Sequence, residues 1–396
     1  MARITFQRLE DNSVVFWGLL ALNAAVVAAG LGAAYHIESN GHIVTGMTNQ
    51  IVWGMPHVFA VFLIVAASGA LNLASVSSVF GRLAYKPYAR LSGILAIALL
   101  VGGLAVLVLD LGRPDRLVVA MTTYNFKSIF SWNIYLYTGF IAIVAGYLFV
   151  MMDRTASRSP SLGKAAGGLA FVWRLILTTG TGSIFGFLVA REAYDTALLA
   201  PLFISASLLY GLAFTVLVLV TMSRETRSEL MPGEMADRFR SLLILFSLTT
   251  LYFTALYHVT KLYGAKYHGI EAFLLRDGGR YTLAFWLGQI GIGSALPLAI
   301  LMRARGHVAI SAASILFLIG GLAQMFVIII GGQAYPLTLF PGMDVSSSYV
   351  DGVIAHYVPS PFEVLLGISG VSIAMLITGV ALKLMPFLPQ SVGEPS

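Results

Sequence analysis

The sequence predicts an all-α membrane protein, a helical bundle of ten transmembrane segments, and three observations carry that prediction. The 396 residues are 58% hydrophobic and 11% charged, with a mean hydropathy of +0.85, more apolar surface than one water-soluble core can hide. Nearly charge-free runs of roughly 20 residues, the length that crosses the hydrocarbon layer, recur along the chain. These runs do not alternate in polarity and far exceed the roughly ten residues of a barrel strand, which argues against a β-barrel.

In order, the runs are 14–35, 53–79, 91–109, 129–152, 167–189, 197–222, 241–263, 281–302, 308–331 and 362–385. The first exceeds a signal-peptide core in length and is followed by further spans, so it is expected to be an uncleaved helix. Together the ten form a single integral membrane domain (1–396), with no soluble domain and no low-complexity segment. An even number of spans leaves both termini on one side. Fifteen of the 24 Lys and Arg residues fall on that side, so the positive-inside rule makes both termini cytoplasmic, in the inner membrane of a bacterial cell.

The formal charge is +6, yet the basic residues are scattered through short loops, which fits cytoplasmic loops and not nucleic acid. With no cysteine, the chain binds no Cys-ligated iron–sulfur cluster, and such a carrier has to sit on a partner. The loop 332–361 is long for a bundle connection and holds Pro336, Pro341, Pro359 and Pro361, as a structured cap or docking surface would.

Charge concentrates at the end of the third run, in Leu109-Asp110-Leu111-Gly112-Arg113-Pro114-Asp115-Arg116. On the assigned topology this cluster lies at the outer face with His57, Tyr124, Asn125, Arg191, Glu192, Asp195 and His258. Ionisable groups at membrane depth are costly and mark candidate sites. A quinone needs hydrogen bonds at two carbonyl oxygens and groups that exchange two protons, which His57, Tyr124 and Asp110 supply in kind. Arg113 is expected to orient Asp110 and lower its pKa. Asn125 and His258 are further quinone-binding candidates, and Glu192, Arg191, Arg174 and Asn72 are proton-path candidates.

Plainer alternatives stand beside each of these. The Asp110 to Arg116 cluster also reads as an ion-pair staple on a turn stiffened by Pro114, and His57 as a packing histidine. Arg174 is expected to snorkel toward the cytoplasmic headgroups. Two other function classes remain open: a subunit with one b-type haem between His57 and His258, and a secondary transporter, disfavoured because the membrane midplane is nearly empty of acids. No metal site is expected.

Several segments resemble the NrfD/PsrC family, the quinone-reactive membrane subunits of polysulfide reductase-like respiratory complexes. Trp53-Gly54-Met55-Pro56 is similar to the family's start of the second span, and Asp110-Leu111-Gly112-Arg113-Pro114 to its most specific motif. Asn125-Phe126-Lys127-Ser128 with Ser131-Trp132, then Thr181-Gly182, Gly186, Leu199-Ala200-Pro201-Leu202-Phe203 and Ser205-Ala206-Ser207, continue the pattern. Tyr124 departs from it, since many relatives have proline there. Within the family the chain is similar to the DsrP type of Dsr sulfur-metabolism complexes. The resemblance implies two four-helix bundles flanked by the outermost helices and a quinone (menaquinone or ubiquinone) site near the periplasmic face. It also implies no haem or cluster in this chain, a periplasmic ferredoxin-like [4Fe-4S] subunit, and further membrane and cytochrome subunits.

Overall fold

The computed structural model describes residues 5–10, 13–153, 155–337, 343 and 352–390, apart from the side chain of Arg158. Among them, ten helices are long and apolar enough to cross a membrane: span 1 (Val14–Asn40), span 2 (Met55–Ser78), span 3 (Leu83–Leu109), span 4 (Ile129–Met152), span 5 (Pro160–Gly186), span 6 (Leu199–Glu225), span 7 (Gly233–Tyr263), span 8 (Arg280–Arg303), span 9 (His307–Ala334) and span 10 (Pro361–Leu384). Each apolar run falls on one of them. Several helices extend beyond their run because capping and helix-forming residues carry them into the polar zone. Span 5 starts at Pro160, with the Ser159 hydroxyl accepting the Leu162 N–H, a preferred N-terminal arrangement. Span 7 starts at Gly233 and carries Glu234 in its first turn, where an acid suits the helix dipole.

Spans 2 to 5 pack on one another as one four-helix bundle and spans 6 to 9 as a second. Spans 2 and 6 form the seam between them and are the most buried helices. Spans 1 and 10 pack together on the flank of spans 2 and 3. Span 1 leaves Val14, Val15, Trp17, Leu22 and Leu31 uncovered, as a helix facing lipid does. Near the chain ends, Phe6–Gln7 pairs antiparallel with Leu388–Pro389, which brings the described segments before span 1 and after span 10 to one face of the bundle.

Two spans are not regular. Span 8 runs as a π-helix over Ala284–Ala295, and span 9 over Val327–Gly331. Such widened turns free backbone groups and often accompany functional sites. In the long loop after span 9, Tyr357 is fully buried and the Ala355 N–H bonds the Ala334 carbonyl at 2.9 Å. The rest of the expected cap, 338–342 and 344–351, with Pro341, lies outside the described residues.

Candidate functional site

His57 sits in the first turn of span 2, and Asp110 ends span 3, donating its N–H to the Val106 carbonyl. Packing of these two spans places the His57 Nδ1 2.9 Å from the Asp110 Oδ2. The Asp110 carboxylate is fully buried, while His57 keeps 16% of its side chain exposed. The carboxylate approaches the ring out of line with a hydrogen bond, and Oδ1 has no partner, so the pair retains acceptor capacity that a ligand or water can use. Trp53 lies nearly parallel to His57 with centroids 6.4 Å apart, tilted against Phe130 at 5.9 Å and edge-on to Phe185 at 5.6 Å. His57 of the pair thus lies against Trp53, just before span 2, which is backed by Phe130 of span 4 and Phe185 of span 5.

Arg113 does not orient Asp110, which corrects the expectation from spacing. Its guanidinium grips Asp115 through two bonds of 3.0 Å, and both side chains are exposed. The reason lies in Gly112, whose φ of +67° turns the chain outward just after Asp110, a conformation that glycine adopts without steric cost. A Cβ on Gly112 would also lie 2.9 Å from the His42 imidazole. Pointing into water, Arg113 avoids the desolvation cost of a buried guanidinium. Hydrogen bonding to Arg113 holds the Asp115 carboxyl below the usual range. His57 takes the place beside Asp110 that Arg113 was expected to fill.

Behind the pair lies a buried carboxylate that motif inspection missed. Glu363 accepts from the Gly46 N–H at 2.7 Å, the Ser360 N–H at 2.8 Å and the Tyr357 hydroxyl at 2.6 Å. Tyr357 in turn accepts from the Met55 N–H at 2.6 Å, tying the start of span 2 to span 10. Burial first, then the Glu363 carboxylate, push Tyr357 far above the ordinary phenol range. It therefore stays protonated and donating. Gly54 leaves room for this network, since a Cβ there would meet Glu363 Oε1 at 2.4 Å. The sequence did hold a signal, Ser360-Pro361-Phe362-Glu363, the spacing of a capping box, which the structure forms.

Tyr124 sits in an aromatic cluster with Phe126, Trp132 and Tyr135. Its buried hydroxyl has no partner, and it makes no hydrogen bond or ring contact to His57 or Asp110. Asn125 accepts the Lys127 N–H at 3.0 Å, shaping the turn into span 4. Arg191 donates to the carbonyls of Gln333 at 2.9 Å and Gln50 at 2.7 Å, and Gln333 accepts the Val52 and Trp53 N–H groups at 3.0 Å. Arg191 is thus part of a clamp that holds Trp53. The Glu192 carbonyl receives the buried Lys261 ammonium. Asp195 accepts from Tyr267 at 2.9 Å and Lys266 at 3.2 Å; burial would raise its carboxyl, but these donors outweigh burial and hold it below the usual range.

Arg174 is buried and does not snorkel to the headgroup region, a second correction. It donates to Asn72 Oδ1 at 2.9 Å and lies against the Phe171 ring at 5.1 Å, while Nε and Nη1 lack partners. The guanidinium is held inside the bundle because span 5 turns this face toward span 2, where Ser68 donates to the Arg174 carbonyl at 3.1 Å. Arg174 and Asn72, both proton-path candidates, therefore meet. His57 and His258 do not. They belong to different bundles, and His258 Nδ1 lies 2.7 Å from the buried Glu271, so neither imidazole is presented to the other as a facing axial pair.

Residues 43–336, which enclose both bundles, match the family model described as "Polysulphide reductase, NrfD". The chain belongs to the NrfD family. This NrfD-family chain is 29% identical to the Hdr-like menaquinol oxidoreductase integral membrane subunit of Archaeoglobus fulgidus, over 99% of this chain and 98% of the relative. It is 28% identical to a putative dimethyl sulfoxide reductase membrane subunit of Halobacterium salinarum, over 93% and 91%. To a polysulfide reductase polypeptide of Wolinella succinogenes it is 24% identical, over 72% of this chain and 96% of that one.

Proposed function

We propose that this NrfD-family chain is a quinone-reactive membrane subunit with its site at the His57–Asp110 pair. A quinone exchanges two electrons and two protons at its two carbonyl oxygens. The observation that carries the proposal is a buried carboxylate, with an unpartnered oxygen, facing an imidazole that lies against Trp53, itself packed on Phe130 and Phe185. His57 hydrogen-bonds a carbonyl oxygen and Asp110 holds or releases the accompanying proton. Tyr124, with its unpartnered hydroxyl, is the second hydrogen-bonding group at this end, and Asn125 shapes the turn that carries it. The full-length likeness to a menaquinol oxidoreductase subunit favours menaquinone over ubiquinone.

The Lys and Arg distribution supports cytoplasmic termini, and with that orientation this pair lies near the periplasmic face. The motif resemblance makes the electron partner a ferredoxin-like [4Fe-4S] subunit docked there, consistent with a chain that has no cysteine to ligate a cluster of its own. Arg174 and Asn72, hydrogen-bonded to each other, with Ser68 donating to the Arg174 carbonyl and accepting from Thr178, form the inner end of a proton route in the first bundle. A Dsr-type assembly, with a further membrane subunit and a cytochrome subunit, rests on the motif resemblance.

The test is quinol-dependent reduction of the partner cluster by the purified complex. His57→Ala and Asp110→Asn should each lower it by about 10²-fold, the scale of a lost general acid–base group, with subunit assembly intact. Wild-type rates in both variants would overturn the assignment.

A further inference from the structure

Span 7 buries a polar stripe of Ser247, Thr250, Thr254, Tyr257, His258 and Lys261 on one face. At a rise of 1.5 Å per residue this stripe runs about 21 Å, against a hydrocarbon layer of about 30 Å. It faces Gln289 and Ser294, on the π-helical stretch of span 8, Gln324 of span 9 and Tyr210 of span 6. Between them lie two cavities of about 20 and 10 Å³. The two share Thr254, Gln289 and Gln324 in their walls, so they adjoin. Cavities of this size and polarity suit about one water each and are far too small for a quinone ring.

The larger cavity ends at His258. Its Nδ1 lies 2.7 Å from the Glu271 Oε2, and Glu271 is fully buried with Oε1 unpartnered. The Tyr257 and Phe285 rings stand edge-on to the imidazole, each at 4.8 Å. The next charge on span 7 is Lys261, bonded to the Glu192 carbonyl and 4.1 Å from the Tyr267 ring centre. Beyond it, Asp195 pairs with Lys266 at 3.2 Å.

We propose that the second bundle carries a proton-exchange site separate from the His57–Asp110 pair: Glu271 and His258 share one proton, and water in the two cavities passes it toward the bundle centre. Imidazolium with carboxylate and imidazole with carboxylic acid are both net neutral. Gaining or losing a proton would leave an uncompensated charge in an apolar bundle, so the pair rests with one, and each proton it passes to cavity water is replaced by one taken up. The proton moves between Oε2 and Nδ1. The unpartnered Oε1 and the polar cavity wall are what a purely structural ion pair would not need. The proposal goes beyond the quinone assignment and does not rest on it.

The test is infrared spectroscopy of the full-length protein in lipid bilayers, in H2O and after transfer to D2O, with no quinone or redox partner added. At neutral pH, one carboxyl stretch that shifts in D2O should be present in the wild type, absent in Glu271→Gln and displaced in His258→Gln. Gln324→Leu and Gln289→Leu leave the pair in place but remove the polar wall common to both cavities, and each should slow the D2O shift about tenfold. An unchanged amide I band certifies the helices in every variant. Identical carboxyl bands in wild type and Glu271→Gln would overturn the shared-proton site, and wild-type exchange in both cavity variants would overturn the water route.

Discussion

Asp110 and Arg113 stand three residues apart and end in opposite environments. Asp110 closes a buried helix and faces His57, while Arg113 lies past the positive-φ Gly112 and pairs with Asp115 in water. An exposed pair of this kind contributes only about 0–1 kcal/mol. Arg113→Gln should therefore leave the thermal midpoint of the detergent-solubilised protein nearly unchanged. Gly112→Ala should lower stability by about 1–2 kcal/mol, the cost of a left-handed non-glycine residue, and more if His42 cannot yield. The same denaturation measurement compares the two, and equal effects would contradict this account of the turn. The motif was visible as a string of letters, but which of its charges turns inward was not, because that depends on one backbone angle.

At the scale of elements, helix ends decide where the site lies. Glu363 is at once the capping-box acid of span 10 and the acceptor for Gly46 and Tyr357. Glu363→Gln puts an N–H2 group where a carboxylate oxygen accepts, leaving at least one buried donor unsatisfied. The expected loss is about 1–3 kcal/mol, read as a lower unfolding midpoint, with greater proteolytic nicking of the loop 41–54 that Glu363 anchors. On the other bundle, Asp195 holds the connection after span 5 to Lys266 and Tyr267. Its folded carboxyl titrates below the unfolded value of about 3.9, so its stabilisation is complete above that pH and lost as pH falls through the folded pKa. Thermal midpoints measured from about pH 5 down to about pH 3 should fall more steeply for the wild type than for Asp195→Asn. Parallel curves would remove Asp195 from the acid response. Helix-end chemistry such as Ser360 to Glu363 was legible in the sequence. The Gln333 clamp on Trp53 was not, since its partners lie about 280 residues apart.

For the whole molecule, the ten described spans and the pairing of Phe6–Gln7 with Leu388–Pro389 put both described ends on one face, and the proposal that this face is cytoplasmic rests on the Lys and Arg distribution. The native chain has no cysteine, so an introduced one is its sole thiol. Lys127→Cys, before span 4, should react with a membrane-impermeant maleimide added to intact cells, whereas Arg305→Cys, between spans 8 and 9, should react only after the membrane is opened. The reverse pattern would invert the topology and move the His57–Asp110 pair to the inner side. Composition and run length determined by themselves that the protein is helical, how many times it can cross a membrane and which segments do so, because lipid forces each backbone segment to satisfy its own hydrogen bonds locally. Tertiary structure alone decided that His57 meets Asp110, that His258 meets Glu271 in the other bundle, and that Arg174 is buried against Asn72. Those pairings depend on the rotation and depth of packed helices, and a near-uniform apolar sequence carries little trace of either.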